Sequence, residues 1–188
     1  LLMVFIGCDG QGLYQYTRYA VAFRASPFND LPYNLSKPVR ALYVDHERSL
    51  WVGTKGEGLL RIPNFYDRKT FDAAHVEQKT TANSDLLDNS VYTFAASSRN
   101  LLWIGTDGDG LNYYSYADRR IHRRGVPEEM RFIHTLRETA PDTLWVASVG
   151  CGIFRITLGG SQTHPEIREV KRLHFNEELE VKKFFFAL

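Results

Sequence analysis

The chain has 188 residues, of which 44% are hydrophobic and 13% aromatic, with 23 Lys+Arg against 22 Asp+Glu. That is enough apolar matter to rule out a disordered chain, and the formal charge of +1 argues against a dedicated nucleic-acid binder. No run reaches the roughly 18–20 apolar residues that span a bilayer, the opening LLMVFIGCDG reads as no signal peptide, and two cysteines make no disulfide scaffold or zinc knuckle.

Taken in chain order, four segments superpose without gaps: VFIGCDGQGLYQY (4–16), LWVGTKGEGLLRI (50–62), LWIGTDGDGLNYY (102–114) and LWVASVGCGIFRI (144–156). Each opens on an aromatic residue (Phe5, Trp51, Trp103, Trp145). A glycine stands five residues on (Gly10, Gly56, Gly108, Gly150) and a second two later (Gly12, Gly58, Gly110, Gly152). A β-branched residue lies 12 positions before each tryptophan: Val39, Val91 and Ile133. The spacing between aromatics varies (46, 52 and 42), so the repeat is a unit with a constant inner part and a variable outer part.

The β-branched residues open short runs of β-formers at 40–44, 91–95 and 133–136, each followed by a polar turn. The Leu-Trp segments predict a second strand, and the x-Gly-x-Gly turn folds it back onto a third at 58–62, 110–114 and 152–156. A weaker fourth strand is predicted at 75–80, 121–124 and 166–174. Four short antiparallel strands per unit of about 40–50 residues predict an all-β chain, a β-propeller of about three and a half to four four-stranded blades. The units run 1–38, 39–90, 91–132 and 133–180, and residues 181–188 match the first strand of a further blade. The whole chain is then a single partial propeller domain, a piece of a larger ring of about seven blades in preference to a closed four-bladed one. The tryptophans are read as packing residues between blades, with indole N–H groups paired to backbone.

LWVGTKGEGL (50–59), LWIGTDGDGL (102–111) and the lead-in from Leu31-Pro32-Tyr33-Asn34 through Val39 to Asp45 resemble the two-component regulator propeller repeat. The departures are Phe5 for Trp, Cys8 for Thr, and Ala147-Ser148 for Gly-Thr. The resemblance implies the periplasmic sensor region of a Bacteroidetes hybrid two-component histidine kinase. Such a region recognises oligosaccharides from polysaccharide breakdown and relays the signal to a kinase outside this segment. Its partners would be the remaining blades and a second copy of the chain, with no direct membrane insertion here.

In a propeller the turns between second and third strands share a face with the links between blades, and that face hosts ligands. This is analogy at the level of the fold. It makes Tyr33, Asn34, Lys55, Asp107, Asp109 and Arg131 the candidate ligand-binding residues, with Asp9, Gln11, Glu57, Asn29, Asp30, Asn83, Asp85 and Glu129 on the same face. Carboxylate, amide and guanidinium groups suit sugar hydroxyls, and an aromatic ring covers a sugar face. Each of these residues also reads as a solvated turn residue.

No catalytic constellation stands out. The Gly-x-Gly turns lack the following helix that a phosphate loop needs, and the six histidines are scattered without ligand spacing. The segment is therefore expected to be non-catalytic, with neither cofactor nor metal. The alternatives are a structural or protein-interaction propeller without a small ligand, and a propeller lyase or hydrolase. The cluster at Arg119, Arg120, Arg123 and Arg124 reads first as a charged edge strand that discourages pairing, and second as an attractor of anionic glycans. Cys8 and Cys151 read as small buried thiols, a disulfide between them staying open.

Overall fold

A computed structural model of the chain describes residues 3–8, 12–17, 24–25, 36–65 and 76–173. The expected strand at 181–188 and the candidates Tyr33, Asn34, Asp9, Gln11, Asn29 and Asp30 lie outside the described residues. Contacts divide the chain into two units, Leu1–Tyr92 and Thr93–Leu188.

The first unit holds a three-stranded sheet, β1 (Met3–Cys8), β2 (Gly12–Thr17) and β3 (Arg24–Ala25), and a four-stranded sheet, β4 (Val39–Val44), β5 (Leu50–Thr54), β6 (Leu59–Ile62) and β7 (Glu77–Lys79). In the second, β8 (Val91–Ala96, straddling the division), β9 (Leu101–Thr106), β10 (Leu111–Ser115) and β11 (Arg120–Arg124) form one sheet. There β12 (Ile133–Ala140), β13 (Thr143–Ser148), β14 (Gly152–Gly160) and β15 (Pro165–Arg172) form the other. In every sheet the strands pair in chain order, as a propeller blade requires. A 3-10 turn at Glu128–Met130, not anticipated from the residues, links the last two blades.

The inner strands are apolar without alternation because both of their faces are covered: every residue of β5, β9 and β10 is buried. The outer strands β11 and β15 mix exposed and covered residues. Two clusters form the cores: Val39, Leu50, Val52, Leu60 and Ile62 in the first unit, and Trp103, Leu111, Tyr113, Ile133, Val146, Phe154 and Ile156 among those of the second.

Local chemistry closes the turns. In the three later Gly-x-Gly turns the second glycine takes the left-handed conformation, with φ of 76° at Gly58, 100° at Gly110 and 98° at Gly152. At Gly58 a Cβ would also stand 2.1 Å from the Lys79 carbonyl oxygen. The threonine that precedes the turn explains the Gly-Thr pair: Thr54 Oγ1 donates to Gly58 O at 2.7 Å, and Thr106 Oγ1 to Gly110 O at 2.8 Å. Ser148, in the copy that departs from Gly-Thr, sends its hydroxyl instead to Glu129 O at 2.8 Å. The residue three before each tryptophan is also left-handed, with φ of 62° at Arg48, 56° at Asn100 and 65° at Asp142. Asn and Asp tolerate that region, and Arg48 is the strained member of the set.

The tryptophans correct one expectation, because their indoles bond side chains and not backbone. Trp51 Nε1 donates to Asp45 Oδ2 at 2.8 Å, Trp103 Nε1 to Glu138 Oε2 at 3.2 Å, and Trp145 Nε1 to Thr139 Oγ1 at 3.0 Å. A buried N–H needs an acceptor, and the inner-strand carbonyls are already spent on the ladders. Position −6 from the tryptophan is Asp45, Ser97 and Thr139 in turn. Where it is Ser97, the carboxylate comes from Glu138 on the following blade. Trp51 and Trp103 are buried, whereas Trp145 is half-buried.

Glu138 ties two blades together. Partial burial works to raise its pKa, but hydrogen bonds from the Ser98 hydroxyl and N–H, the Ser97 hydroxyl and the Trp103 indole outweigh it, and the carboxyl sits below the ordinary glutamate value of 4.5. The unfolded chain therefore binds the proton more tightly. The stability that the carboxylate contributes is complete above about pH 4.5 and is lost as pH falls through the lowered folded value. We expect Glu138→Gln to cost about 1 kcal/mol at pH 7 and its deficit against the parent chain to shrink below that range, read by urea unfolding at stepped pH. A deficit that stays constant down to pH 3 defeats this account.

Candidate functional site

The face built by the Gly-x-Gly turns and the blade links can be followed within each unit separately. In the first, the turn after β5 is held from both sides. Lys55 N donates to Pro38 O at 2.9 Å, and Lys55 forms a bridge with Ser90. Gly56 N and Gly58 N both donate to Asn89 O, at 3.1 and 2.7 Å. The Glu57 carboxylate accepts from Ser36 N at 3.1 Å, Ser36 Oγ at 2.9 Å and Lys37 N at 3.3 Å. Lys55 is exposed here, and Glu57 serves to fasten the preceding link. Asn83, another sequence candidate, closes its own turn: Thr80 N donates to its Oδ1 at 2.8 Å, and its Nδ2 donates to Gln78 O at 3.1 Å.

The second unit repeats the scheme with different side chains. The turn after β9 bridges the next link, Asp107 opposite Phe132, and Gly108 N donates to Arg131 O at 3.2 Å. Three sequence candidates meet here. Arg131 Nε donates to Gly108 O at 2.8 Å, and its Nη2 pairs with Asp109 Oδ1 at 3.0 Å. Beside them Asp107 Oδ1 lies 2.8 Å from His134 Nε2. Arg131 and Asp109 are both about half exposed, so this pair contributes little to stability and its donors and carboxylate oxygens stay within reach of a ligand. Glu129, on the same link, engages through its carbonyl with Ser148.

Two residues of this face escaped the sequence reading. Phe132 is 42% exposed and Val149 43% exposed, and Val149 N donates to Phe132 O at 2.9 Å, so the backbones adjoin. The signal was available in the aligned repeats: Phe132 takes the position of Pro38 and Ser90, and Val149 that of Lys55 and Asp107.

The arginine cluster lies elsewhere, on and just before the outermost strand β11. Asp118 in its turn is nudged up by slight burial but held below the ordinary aspartate value by His122, the Arg120 N–H and the Ser115 hydroxyl. His122 stacks on Tyr113 with ring centroids 5.0 Å apart. Cys151 is a half-buried free thiol against the second core. Among the described residues no group of three or more His, Cys, Asp or Glu is placed to hold a metal ion. No helix among them is long and apolar enough to cross a membrane.

Residues 85–108 match the family model described as "Two component regulator propeller". No curated protein matches the chain in sequence. The fold is similar to the extracellular domains of two B. thetaiotaomicron hybrid two component systems. One has 15% identity and TM-score 0.57 over 79% of this chain and 20% of that one, the other 19% identity and TM-score 0.56 over 95% and 21%. It is also similar to virginiamycin B lyase from Staphylococcus aureus, with 14% identity and TM-score 0.60 over 87% of this chain and 49% of the lyase. The chain thus spans about one fifth of the length of each of these extracellular domains. At these identities the likeness is one of fold. The chain is a β-propeller chain in which residues 85–108, leading into and through the first two strands of the third unit, match the two component regulator propeller family.

Proposed function

We propose that this chain is a ligand-sensing, non-catalytic stretch of the extracytoplasmic propeller of a hybrid two-component receptor, taking up oligosaccharides released from polysaccharides. The protein sits in the periplasm, with its remaining blades and a second copy as partners, and passes the signal to a histidine kinase outside the segment. The observation that carries this reading is the meeting of Asp107, Asp109, Arg131 and His134 on one turn-and-link face, which begins at the end of the 85–108 match. Paired carboxylate and guanidinium groups offer adjacent acceptors and donors, which vicinal hydroxyls require. The relay needs a ligand that binds two propeller arrangements unequally.

The test is the chain on a glycan array, followed by calorimetry on any hit and incubation of the chain with the parent polysaccharide. Saturable binding of one oligosaccharide class with no shortened products is the expected outcome. Cleavage products would replace the sensor by an enzyme. Silence across the array, with a protein captured instead, would make it an interaction propeller.

A further inference from the structure

Phe132 is the anomaly on this face. Among the described residues of the second unit, Phe132 and Val149 are the large hydrophobic side chains left exposed, while Trp103, Tyr113, Tyr114, Tyr116 and Phe154 are all buried. The backbone does not ask for a ring at 132. Ser90 makes the corresponding bridge to Lys55 in the earlier blade, and Pro38 O accepts from Lys55 N as Phe132 O accepts from Val149 N. An exposed aromatic at a position where the repeat functions with serine or proline sets this link apart from the earlier ones.

The surroundings narrow what the contact is. Arg131 and His134 flank Phe132 along the link, and each already faces a carboxylate, Asp109 or Asp107. Glu128 comes within 3.9 Å of Arg131, and Glu129 is exposed beside it. Four carboxylates thus stand against one guanidinium and one imidazole, so the local field is negative and disfavours an anionic ligand.

We propose that Phe132 is the stacking platform for one ring of a neutral saccharide, with Asp109, Arg131 and Asp107 bonding its hydroxyls. The ring's C–H face covers the phenyl, and the paired polar groups at its edge fix orientation. The ligand class is therefore neutral hexose or pentose oligosaccharides, as opposed to uronic-acid or sulfated ones. This rests on the sensor reading above and goes beyond it in naming the charge class and the platform.

The experiment titrates the full chain and its Phe132→Ala and Phe132→Tyr variants with two sets of probes. One holds neutral cello-, manno- and xylo-oligosaccharides, the other oligogalacturonates and sulfated oligosaccharides. Sedimentation of each protein runs alongside, and circular dichroism confirms that the variants fold. We expect a neutral probe to bind, Phe132→Ala to weaken it roughly tenfold or more, and Phe132→Tyr to retain it. Binding confined to acidic probes overturns the charge class. A neutral probe indifferent to Phe132→Ala overturns the platform while leaving the sensor reading intact. A dimer that Phe132→Ala converts to monomer, with sugar binding unchanged, assigns the surface to a second copy. No saccharide binding by the parent chain removes the sensor reading and this inference together.

Discussion

Replacing Arg99 by alanine is expected to destabilise the second unit by about 3 kcal/mol. Arg99 sits in the turn between β8 and β9, is 7% exposed, and spends its guanidinium on the following blade. Its Nε donates to Asp142 Oδ1 at 2.8 Å, and Nη2 contacts the same oxygen. Nη1 reaches Gly159 O at 2.7 Å and Ser161 O at 2.9 Å. Alanine leaves those carbonyls and the carboxylate without their donor at a covered junction. Removing one partner of a buried pair costs roughly 3–5 kcal/mol, and the lower end applies because Asp142 is 49% exposed. For a chain of this size the melting midpoint would fall by about 6–12 °C. Lysine should recover only part of it, since one ammonium cannot span the carboxylate and carbonyls that the planar fork reaches. Thermal unfolding followed by tryptophan fluorescence reports the effect through Trp103 and Trp145. A shift under 2 °C for Arg99→Ala would show that water replaces the fork at no cost.

A single methyl group added at Gly105 is expected to cost about 2 kcal/mol, in the usual range for forcing extra volume into a packed interior. Its Cβ would stand 2.5 Å from Thr93 Cγ2, 2.6 Å from Ile133 Cγ2 and 3.1 Å from Ile133 O, on the first strand of its own blade and of the next. Earlier repeats pack alike: a Cβ at Gly53 would meet Val91 O at 2.5 Å, and one at Gly7 would meet Val39 Cγ1 at 3.0 Å. The glycine before the threonine is therefore where the following blade's β-branched residue, the one 12 positions before its tryptophan, is let in. Because the nearest atom is the Thr93 methyl, Gly105→Ala should cost less in a Thr93→Ser background, a coupling that a double-mutant cycle in urea measures directly. Additive costs would mean that the methyl is not the obstacle. Gly56→Ala is the contrast: nothing lies within 4 Å of its Cβ, so only the left-handed backbone, with φ of 103°, opposes it.

Much of this fold was legible in the residues because the rules that shape a blade are local. Strands at 50–54 and 91–96, the hairpins at Gly58 and Gly110, and the charged outer strand at 120–124 follow from β-formers, turn residues and period within one unit. Position on the turn-and-link face was legible for Lys55, Asp107, Asp109 and Arg131, which are fixed by offset from a tryptophan or from the next β-branched residue. The fourth blade's outer hairpin ran longer than expected, with β14 reaching Gly160, since a bulge near Thr157 lets pairing with β15 continue.

What the chain alone determined, then, is the blade: where it turns, which strands are covered, and which residues line its turn-side face. Only the tertiary structure decided what each blade offers its neighbour. Trp103 finds its acceptor 35 residues away in Glu138, and Arg99 its carbonyls 60 residues on, while Gly105 is required by Ile133. Such pairings depend on which side chains a variable outer part carries into register, and no fixed offset encodes them. Phe132 belongs with these: its residue type was visible from the start, but its meaning appears only when it proves exposed while Trp103, Tyr113, Tyr114, Tyr116 and Phe154 of the same unit are buried.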